Sequence, residues 1–138
     1  MDTASLLRKA PKGSSMRRKK ILLVDDSSTV IMMEKMMLAG CGYDIVVARD
    51  GEEGVAKAAS ELPDLILLDV VMPKMDGIEA CRRIRAQALT KDIPIIMVTT
   101  RSEAGNVETS YKNGCNDYVN KPLNNAELLA KVRSFLEP

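Results

Sequence analysis

Three aspartates stand directly after short apolar runs, and their side chains are the ones in this chain best suited to chemistry. Asp25 and Asp26 follow the run ILLV at residues 21–24. Asp69 follows the run LILL at residues 65–68. Neighbouring carboxylates repel one another, and a bound divalent cation relieves that repulsion. Carboxylate oxygens are hard ligands, so the three aspartates predict a site for Mg²⁺ or Mn²⁺.

Two further polar side chains follow apolar segments. Thr99 follows the run IPIIMV at residues 93–98, and Lys121 ends the segment DYVNK at 117–121. A lysine ammonium pairs with phosphate as a point charge, and a threonine hydroxyl donates to phosphoryl oxygens. Together with the carboxylates they suit phosphoryl transfer, which depends mainly on positioning and charge neutralisation. Because a carboxylate can itself be the nucleophile, Asp69 is the candidate for an aspartyl phosphate.

These side chains meet only if the chain folds into a parallel sheet. The apolar runs lack polar alternation, which is typical of strands buried on both faces. Their alternation with helices predicts an α/β, doubly wound (βα)5 sandwich with a five-stranded parallel sheet, whose functional edge lies at the carboxyl ends of the strands. The predicted strands are 21–24, 45–47, 65–68, 93–98 and 117–119, and the predicted helices are 28–39, 51–62, 76–88, 102–112 and 125–136, with N-caps at Ser27 or Ser28, Asp50 and Asn124.

Four segments resemble the response-regulator receiver domain, the phosphoacceptor module of two-component signalling. The resemblance covers about residues 18 to 137, so we expect a flexible basic arm at 1–17 and a receiver domain at 18–138. It implies the flavodoxin-like strand order 2-1-3-4-5. The matching segments are ILLVDDS (21–27), LILLDVVMPKMDG (65–77), IPIIMVT (93–99) and DYVNKP (117–122).

The resemblance also implies a role for the acidic residues. Asp69 would be the phosphorylated aspartate. Asp25, Asp26 and Asp69 would hold Mg²⁺ together with the backbone carbonyl of Val71, Asp25 either directly or through water. The chain would therefore be a phosphoacceptor in signalling, with intrinsic self-phosphorylation and self-dephosphorylation, rather than an enzyme.

The remaining matched residues would bind the phosphoryl group and report its presence. Thr99 and Lys121 would contact the phosphoryl oxygens. Tyr118 matches the family's switch aromatic, which turns inward as the threonine moves toward the phosphoryl group. This coupling would alter the surface formed by the fourth helix, the fifth strand and the fifth helix. The altered surface would bind a target protein, or the phosphoryl group would be relayed.

Two positions near the site bear on the lifetime of the phosphorylated state, and a third bears on access to Asp69. In the family, the positions of Val71 and Arg101 tune dephosphorylation. Val71 offers no side-chain group to position an attacking water, so slow self-hydrolysis is expected. Thr100 replaces the small residue common beside the switch threonine, and its bulk narrows access to Asp69.

The composition excludes several other classes of protein. The chain has no His, which removes His-ligated metals and Ser-His-Asp or Cys-His triads. Cys41, Cys81 and Cys115 are an odd number and lie far apart, so we expect reduced thiols and a cytoplasmic location. No apolar run approaches the length of a membrane span and no signal peptide opens the chain, so membrane insertion is not expected.

Charge divides the chain into a basic start and an acidic remainder. Residues 1–20 carry seven cations and one anion, whereas the rest carries 13 cations and 18 anions. A basic run can contact nucleic acid, but a solvated tail explains it better, and Met16 is a possible alternative start. With no sequence left for an output domain, we expect a stand-alone regulator of the chemotaxis type.

The first predicted helix is unusually apolar. Val30, Met33 and Met37 form one stripe at helical spacing, which predicts a core face. Ile31, Met32 and Met36 cannot share that stripe, and flexible methionines suit partner contacts. In receivers this helix meets the phosphotransfer helices of the kinase, so a sensor histidine kinase or a His-phosphotransfer domain is the expected partner here.

Two other functions remain open. A dehalogenase-type phosphatase also forms an aspartyl phosphate, but it needs a second Asp two residues after the nucleophile, where this chain has Val71. The other alternative is a receiver-fold interaction module that works without phosphorylation. The intact set of carboxylates argues against that module.

Overall fold

A computed structural model describes residues 18–100 and 104–137 of the chain. The predicted arm at 1–17 and Arg101 lie outside the described residues. The strands are β1 (Lys20–Val24), β2 (Asp44–Ala48), β3 (Leu65–Asp69), β4 (Ile95–Thr100) and β5 (Asp117–Lys121), and the helices are α1 (Ser28–Leu38), α2 (Gly51–Glu61), α3 (Gly77–Ala86), α4 (Ala104–Lys112) and α5 (Asn125–Leu136).

The five strands form one parallel sheet in the order β2-β1-β3-β4-β5. All five residues of β3 are buried, as are the last four of β1, because helices cover both faces of the sheet. The predicted doubly wound fold and its strand order are confirmed.

Two apolar clusters fill the space on either side of the sheet. One cluster joins alternate strand residues to Ala58 of α2 and to Ala80 and Ile84 of α3. The other joins the intervening strand residues to α1 and α5 through Leu38 and Val132. Successive residues of a strand point to opposite faces, so each central strand contributes to both clusters.

Polar N-caps begin the helices where the sequence predicts them. Ser27 Oγ accepts from the backbone N–H of Val30 at 3.3 Å, and Asp50 Oδ1 accepts from that of Glu53 at 2.7 Å. A side-chain oxygen at this position satisfies one of the otherwise unpaired N–H groups of the first turn. Each cap follows a strand directly or after a short loop, and therefore turns the chain back over the sheet.

Some element boundaries differ from the prediction. β4 begins at Ile95 rather than 93, because Pro94 has no N–H to donate, although its carbonyl still accepts from Ile66 at 3.0 Å. α3 ends at Ala86 rather than 88, because the Thr90 hydroxyl donates to the carbonyl of Ile84 at 2.6 Å and closes the last turn.

The predicted core stripe of α1 was wrong. Its buried residues are Ile31, Glu34 and Leu38, whereas Met33 is 37% exposed. The helix is apolar on two sides, so its pattern does not determine which side faces the sheet. A consequence is that a carboxyl group, Glu34, lies in the core layer between the helix and the sheet.

Candidate functional site

Strand register places Asp25 beside Asp69. Val24 pairs with Leu68 in the β1–β3 ladder, so the residues that follow them emerge side by side at the carboxyl edge of the sheet. Both side chains are buried, with exposures of 1% and 4%. Asp26 is exposed, which leaves the cluster accessible to solvent from one side.

The next two strands bring in the remaining candidate residues. Asp69 pairs with Val98, which places Thr99 one residue beyond it on β4. Thr100 pairs with Lys121 in the β4–β5 ladder. The Lys121 ammonium crosses the strand ends and lies 3.0 Å from Asp69 Oδ1. The predicted convergence of an ammonium, a hydroxyl and carboxylates at one edge is therefore present.

The acidic residues have the arrangement that a hard cation requires. One carboxylate oxygen from each of Asp25, Asp26 and Asp69 lies within 4.8 Å of the other two. Asp25 Oδ1 accepts from the N–H of Ser27 at 2.9 Å, which fixes the carboxylate, while its buried Oδ2 has no hydrogen-bond partner. That oxygen is 3.5 Å from Lys121 Nζ. A buried carboxylate within reach of two further carboxylates fits Mg²⁺ or Mn²⁺.

Burial and mutual repulsion perturb the charges of these groups. Burial, followed by the charge of Asp25, raises the pKa of Asp69 to about 6, although Lys121 opposes this shift. Burial also raises the pKa of Asp25. For Lys121 burial acts downward, but hydrogen bonding and charge attraction to Asp69 outweigh it and raise its pKa. Lys121 therefore remains an ammonium, and Asp69 is ionised at neutral pH.

Gly77 allows α3 to begin directly against the backbone of the site. A Cβ atom there would lie 2.0 Å from the carbonyl oxygen of Asp69. The N–H of Gly77 donates to the carbonyl of Val70 at 2.8 Å, which ties the loop after β3 to the first turn of the helix. Only glycine fits this close approach, so the DG pair at 76–77 holds the loop that follows Asp69.

The other predicted residues lie around this cluster. Thr99 is buried, with its hydroxyl 3.4 Å from the carbonyl oxygen of Thr100. Val71 is 55% exposed at the rim, two residues beyond Asp69. Tyr118 is half-buried on β5.

Sequence reasoning missed Glu34, the buried carboxyl group of α1. It is 1% exposed and its Oε1 has no hydrogen-bond partner. Burial, followed by the charge of Asp25, raises its pKa to about 8. Its spacing of three residues from Ile31 and four from Leu38 was an available signal. The surrounding methionines concealed that signal, because they suggested a different core face.

Comparison with known proteins identifies the family. Residues 21–133 match the model of the response regulator receiver domain. The chain belongs to this family. Receiver domains are phosphoacceptors in signalling rather than enzymes in the usual sense, and the expected resemblance is confirmed.

Relatives of this receiver domain include longer regulators. It is 44% identical over 95 residues to the alkaline phosphatase synthesis transcriptional regulatory protein PhoP of Bacillus subtilis, a match covering 69% of this chain and 39% of PhoP. It is 39% identical over 93 residues to the response regulator PleD of Caulobacter vibrioides, covering 67% of this chain and 20% of PleD. The chain thus spans less than half the length of these relatives.

Solved structures match the receiver domain over nearly their whole length. The Vibrio cholerae chemotaxis protein CheY4 gives a TM-score of 0.80 at 34% identity, covering 86% of this chain and 99% of CheY4. A second match is the receiver domain of sensor histidine kinase PA1611 from Pseudomonas aeruginosa, which was solved with a magnesium ion in its active-site cleft. It gives a TM-score of 0.80 at 34% identity, and the match covers 88% of this chain and 99% of the PA1611 domain. Within residues 18–100 and 104–137 of this chain, no helix is both long and apolar enough to cross a membrane.

Proposed function

We propose that this receiver accepts a phosphoryl group on Asp69 from a sensor histidine kinase or a His-phosphotransfer domain. The observation that carries the proposal is the environment of the Asp69 carboxylate. Lys121 Nζ lies 3.0 Å from its Oδ1, and carboxylate oxygens of Asp25 and Asp26 lie within 4.8 Å. A nucleophile beside an ammonium and a cation site is suited to attack a phosphoryl group.

The proposed reaction transfers the phosphoryl group between two side chains. An oxygen of the Asp69 carboxylate bonds to phosphorus, the P–N bond to the donor imidazole breaks, and its electron pair stays on the imidazole nitrogen. Lys121 and Thr99 hold the phosphoryl oxygens during this in-line displacement. Asp25, Asp26, Asp69 and the backbone carbonyl of Val71 would hold Mg²⁺ or Mn²⁺, which when bound offsets the negative charge that accumulates.

The proposed output is a change in the surface formed by α4, β5 and α5. Phosphorylation places a phosphoryl group with a charge of about −2 beside Thr99, in place of the single negative charge of the Asp69 carboxylate. Thr99 and Tyr118 lie on neighbouring strands, so movement of the hydroxyl toward the new charge is coupled to the tyrosine ring. The switched surface then binds a target protein, or the phosphoryl group is passed on in a relay.

The proposed kinase contact is the exposed side of α1. Met32 and Met36 are 59% and 70% exposed. An open groove of about 650 Å³ lies between α1 and α5, and Met36 lines it together with Met33, Leu129 and Arg133. Flexible methionines beside a groove suit contact with the helices of a phosphotransfer domain.

We also propose that the receiver acts in the cytoplasm and that its output passes through contact with another protein. The likeness to a chemotaxis protein supports output through protein contact. Cys41, Cys81 and Cys115 are free thiols, which suits a reducing compartment. The proposal includes neither nucleic-acid binding nor membrane insertion.

Intact-mass spectrometry after incubation with acetyl phosphate and Mg²⁺ tests the proposed function. The wild-type chain should gain the mass of one phosphoryl group, and Asp69→Asn should gain none. Asp76→Asn is the matched control, because Asp76 caps α3 outside the cluster and Asn is an equally good N-cap.

Two results would contradict the proposal. Phosphorylation that persists in Asp69→Asn would place the acceptor elsewhere. A wild-type chain that gains no phosphoryl group and does not respond to beryllofluoride with Mg²⁺ would instead support a phosphorylation-independent interaction module.

A further inference from the structure

Lys131 of α5 contacts two consecutive residues of β5 with one ammonium group. Its Nζ lies 3.2 Å from Asp117 Oδ1 and also donates to the carbonyl oxygen of Tyr118. The same nitrogen is 4.9 Å from the centre of the Tyr118 ring. A cation at that distance over a ring face is attracted by the π-electrons. Lys131 therefore links α5 to both the backbone and the ring of Tyr118.

A second aromatic residue, from α4, also contacts Tyr118. The ring of Tyr111, on α4, lies 6.1 Å from the Tyr118 ring at an interplanar angle of 86°. This is the edge-to-face arrangement that aromatic pairs prefer. The Tyr111 hydroxyl is also 3.5 Å from Asp117 Oδ1. Asp117 thus receives contacts from both helices, and the Tyr118 ring contacts a residue of each.

We propose that Lys131 and Tyr111 are positioning residues that hold the Tyr118 ring in its unphosphorylated orientation. This inference rests on the proposed function, in which phosphorylation of Asp69 moves that ring. The register supports it, because Tyr118 pairs with Met97 on β4. Met97 and Thr99 are two residues apart, so their side chains share one sheet face. Movement of the ring toward Thr99 withdraws it from the Lys131 ammonium.

Removal of the Lys131 ammonium should therefore shift the Tyr118 ring toward the orientation that it adopts after phosphorylation. Lys131→Met keeps an unbranched apolar stem, so it removes the charge with little change in packing. Loss of a cation–π contact of ordinary strength corresponds to a change of about two- to fivefold in the equilibrium between the two orientations of the Tyr118 ring. We expect the rate of phosphorylation by acetyl phosphate to rise by the same factor.

Fluorine NMR of chains labelled with 3-fluorotyrosine reports on the ring directly. The chain has three tyrosines, and Tyr118→Phe assigns the Tyr118 signal. Beryllofluoride with Mg²⁺ should shift that signal in the wild type. Without ligand, Lys131→Met should already move it part of the way toward the ligand-bound position. A purely structural role for Lys131 would not displace the signal in this direction.

Two control variants separate the ring contact from general effects of charge. Lys131→Arg keeps a cation that can lie over the ring and should restore the wild-type signal and rate. Lys112→Met removes an exposed α4 lysine that pairs with Glu108 at 3.5 Å, and it should change neither.

The outcomes distinguish the two proposals. If beryllofluoride leaves the wild-type Tyr118 signal unmoved, the proposed switch itself fails. If the wild type responds but the signal of Lys131→Met stays at its wild-type position, or moves equally in Lys112→Met, Lys131 does not position the ring. A rate increase without a signal shift also overturns the inference, because it would arise from charge alone.

Discussion

The buried carboxyl groups at the strand ends and the buried carboxyl group on α1 have contrasting surroundings. At the strand ends, Asp25 and Asp69 share the ammonium of Lys121, and the exposed Asp26 opens the cluster to solvent. On α1, Glu34 lies among apolar side chains, and its Oε1 has no hydrogen-bond partner. The two regions are close enough for Glu34 to feel the charges of Asp25 and Lys121.

Depth of burial and the neighbouring cation both contribute to the difference between the two acids. Burial is the largest cause of the raised pKa in both places, yet it brings Asp69 to about 6 and Glu34 to about 8. Asp69 is hydrogen-bonded to Lys121, whereas Glu34 interacts with that lysine only through charge. At neutral pH Asp69 is therefore available as a nucleophile, whereas Glu34 is mostly protonated.

Loss of the Lys121 ammonium should leave Asp69 in surroundings more like those of Glu34. In Lys121→Met we expect the pKa of Asp69 to rise further and the rate of phosphorylation by acetyl phosphate to fall about a hundredfold, because a preorganised charge is lost. A phosphorylation time course followed by intact mass measures the rate. Lys57→Met, which removes an ion pair with Glu53 on α2, is the control. An unchanged rate in Lys121→Met would show that the lysine is dispensable.

Replacement of Glu34 by Gln should change how the stability of the fold depends on pH. The pKa of Glu34 is about 8 in the folded chain, compared with an ordinary value of 4.5 for a glutamate exposed to water. Its contribution to stability is therefore fully present below about pH 4.5 and is lost as pH rises through about 8. Urea unfolding should show the wild type losing stability relative to Glu34→Gln by up to about 1.4 kcal/mol per pH unit within that window. Parallel pH profiles of the two chains would contradict the assignment.

The exposed side of α1, opposite Glu34, should matter for the partner rather than for the chemistry. Met36→Glu should slow transfer from a phosphorylated histidine kinase domain about tenfold or more, the size of one interface residue that contributes strongly. Its phosphorylation by acetyl phosphate should be unchanged. Leu89→Glu is the matched control, because Leu89 is 72% exposed and lies outside α1. Equal slowing with both donors would mean that the variant disturbs the site itself.

The exposed rim of the site should set the lifetime of the phosphoryl group. Val71→Asn adds an amide that can hydrogen-bond an attacking water, so we expect decay of the acyl phosphate to become about two- to tenfold faster. The decay is followed by intact mass after removal of the donor. Val71→Leu, which adds bulk without a polar group, should not accelerate it. Unchanged or slower decay in Val71→Asn would refute this role for the rim.

Much of the sheet and of the strand-end cluster could be predicted from local patterns. Asp25 and Asp69 each end an apolar run, and parallel strands bring such ends to one edge. The N-caps at Ser27 and Asp50 were equally visible, because capping depends on a few neighbouring residues. Predictions that rest on a short stretch of chain were confirmed for these elements.

The orientation of α1 could not be predicted in this way. Its apolar residues surround the helix, so several rotations about its axis bury similar apolar area. Packing against α5 and β1 selects the rotation that buries Ile31 and Leu38 and brings Glu34 with them. The contact of Lys131 with Tyr118 was hidden for a similar reason, since it joins residues 13 positions apart across two elements.

The amino-acid sequence by itself determined the order of strands and helices and the polar residues that end each strand, because hydrophobic periodicity and capping act over a few residues. Tertiary packing decided which side of α1 faces the sheet, how the charges of Asp69 and Glu34 came to differ, and what surrounds the ring of Tyr118. These properties depend on burial and on distances between segments remote in the chain, which exist only once the layers have assembled.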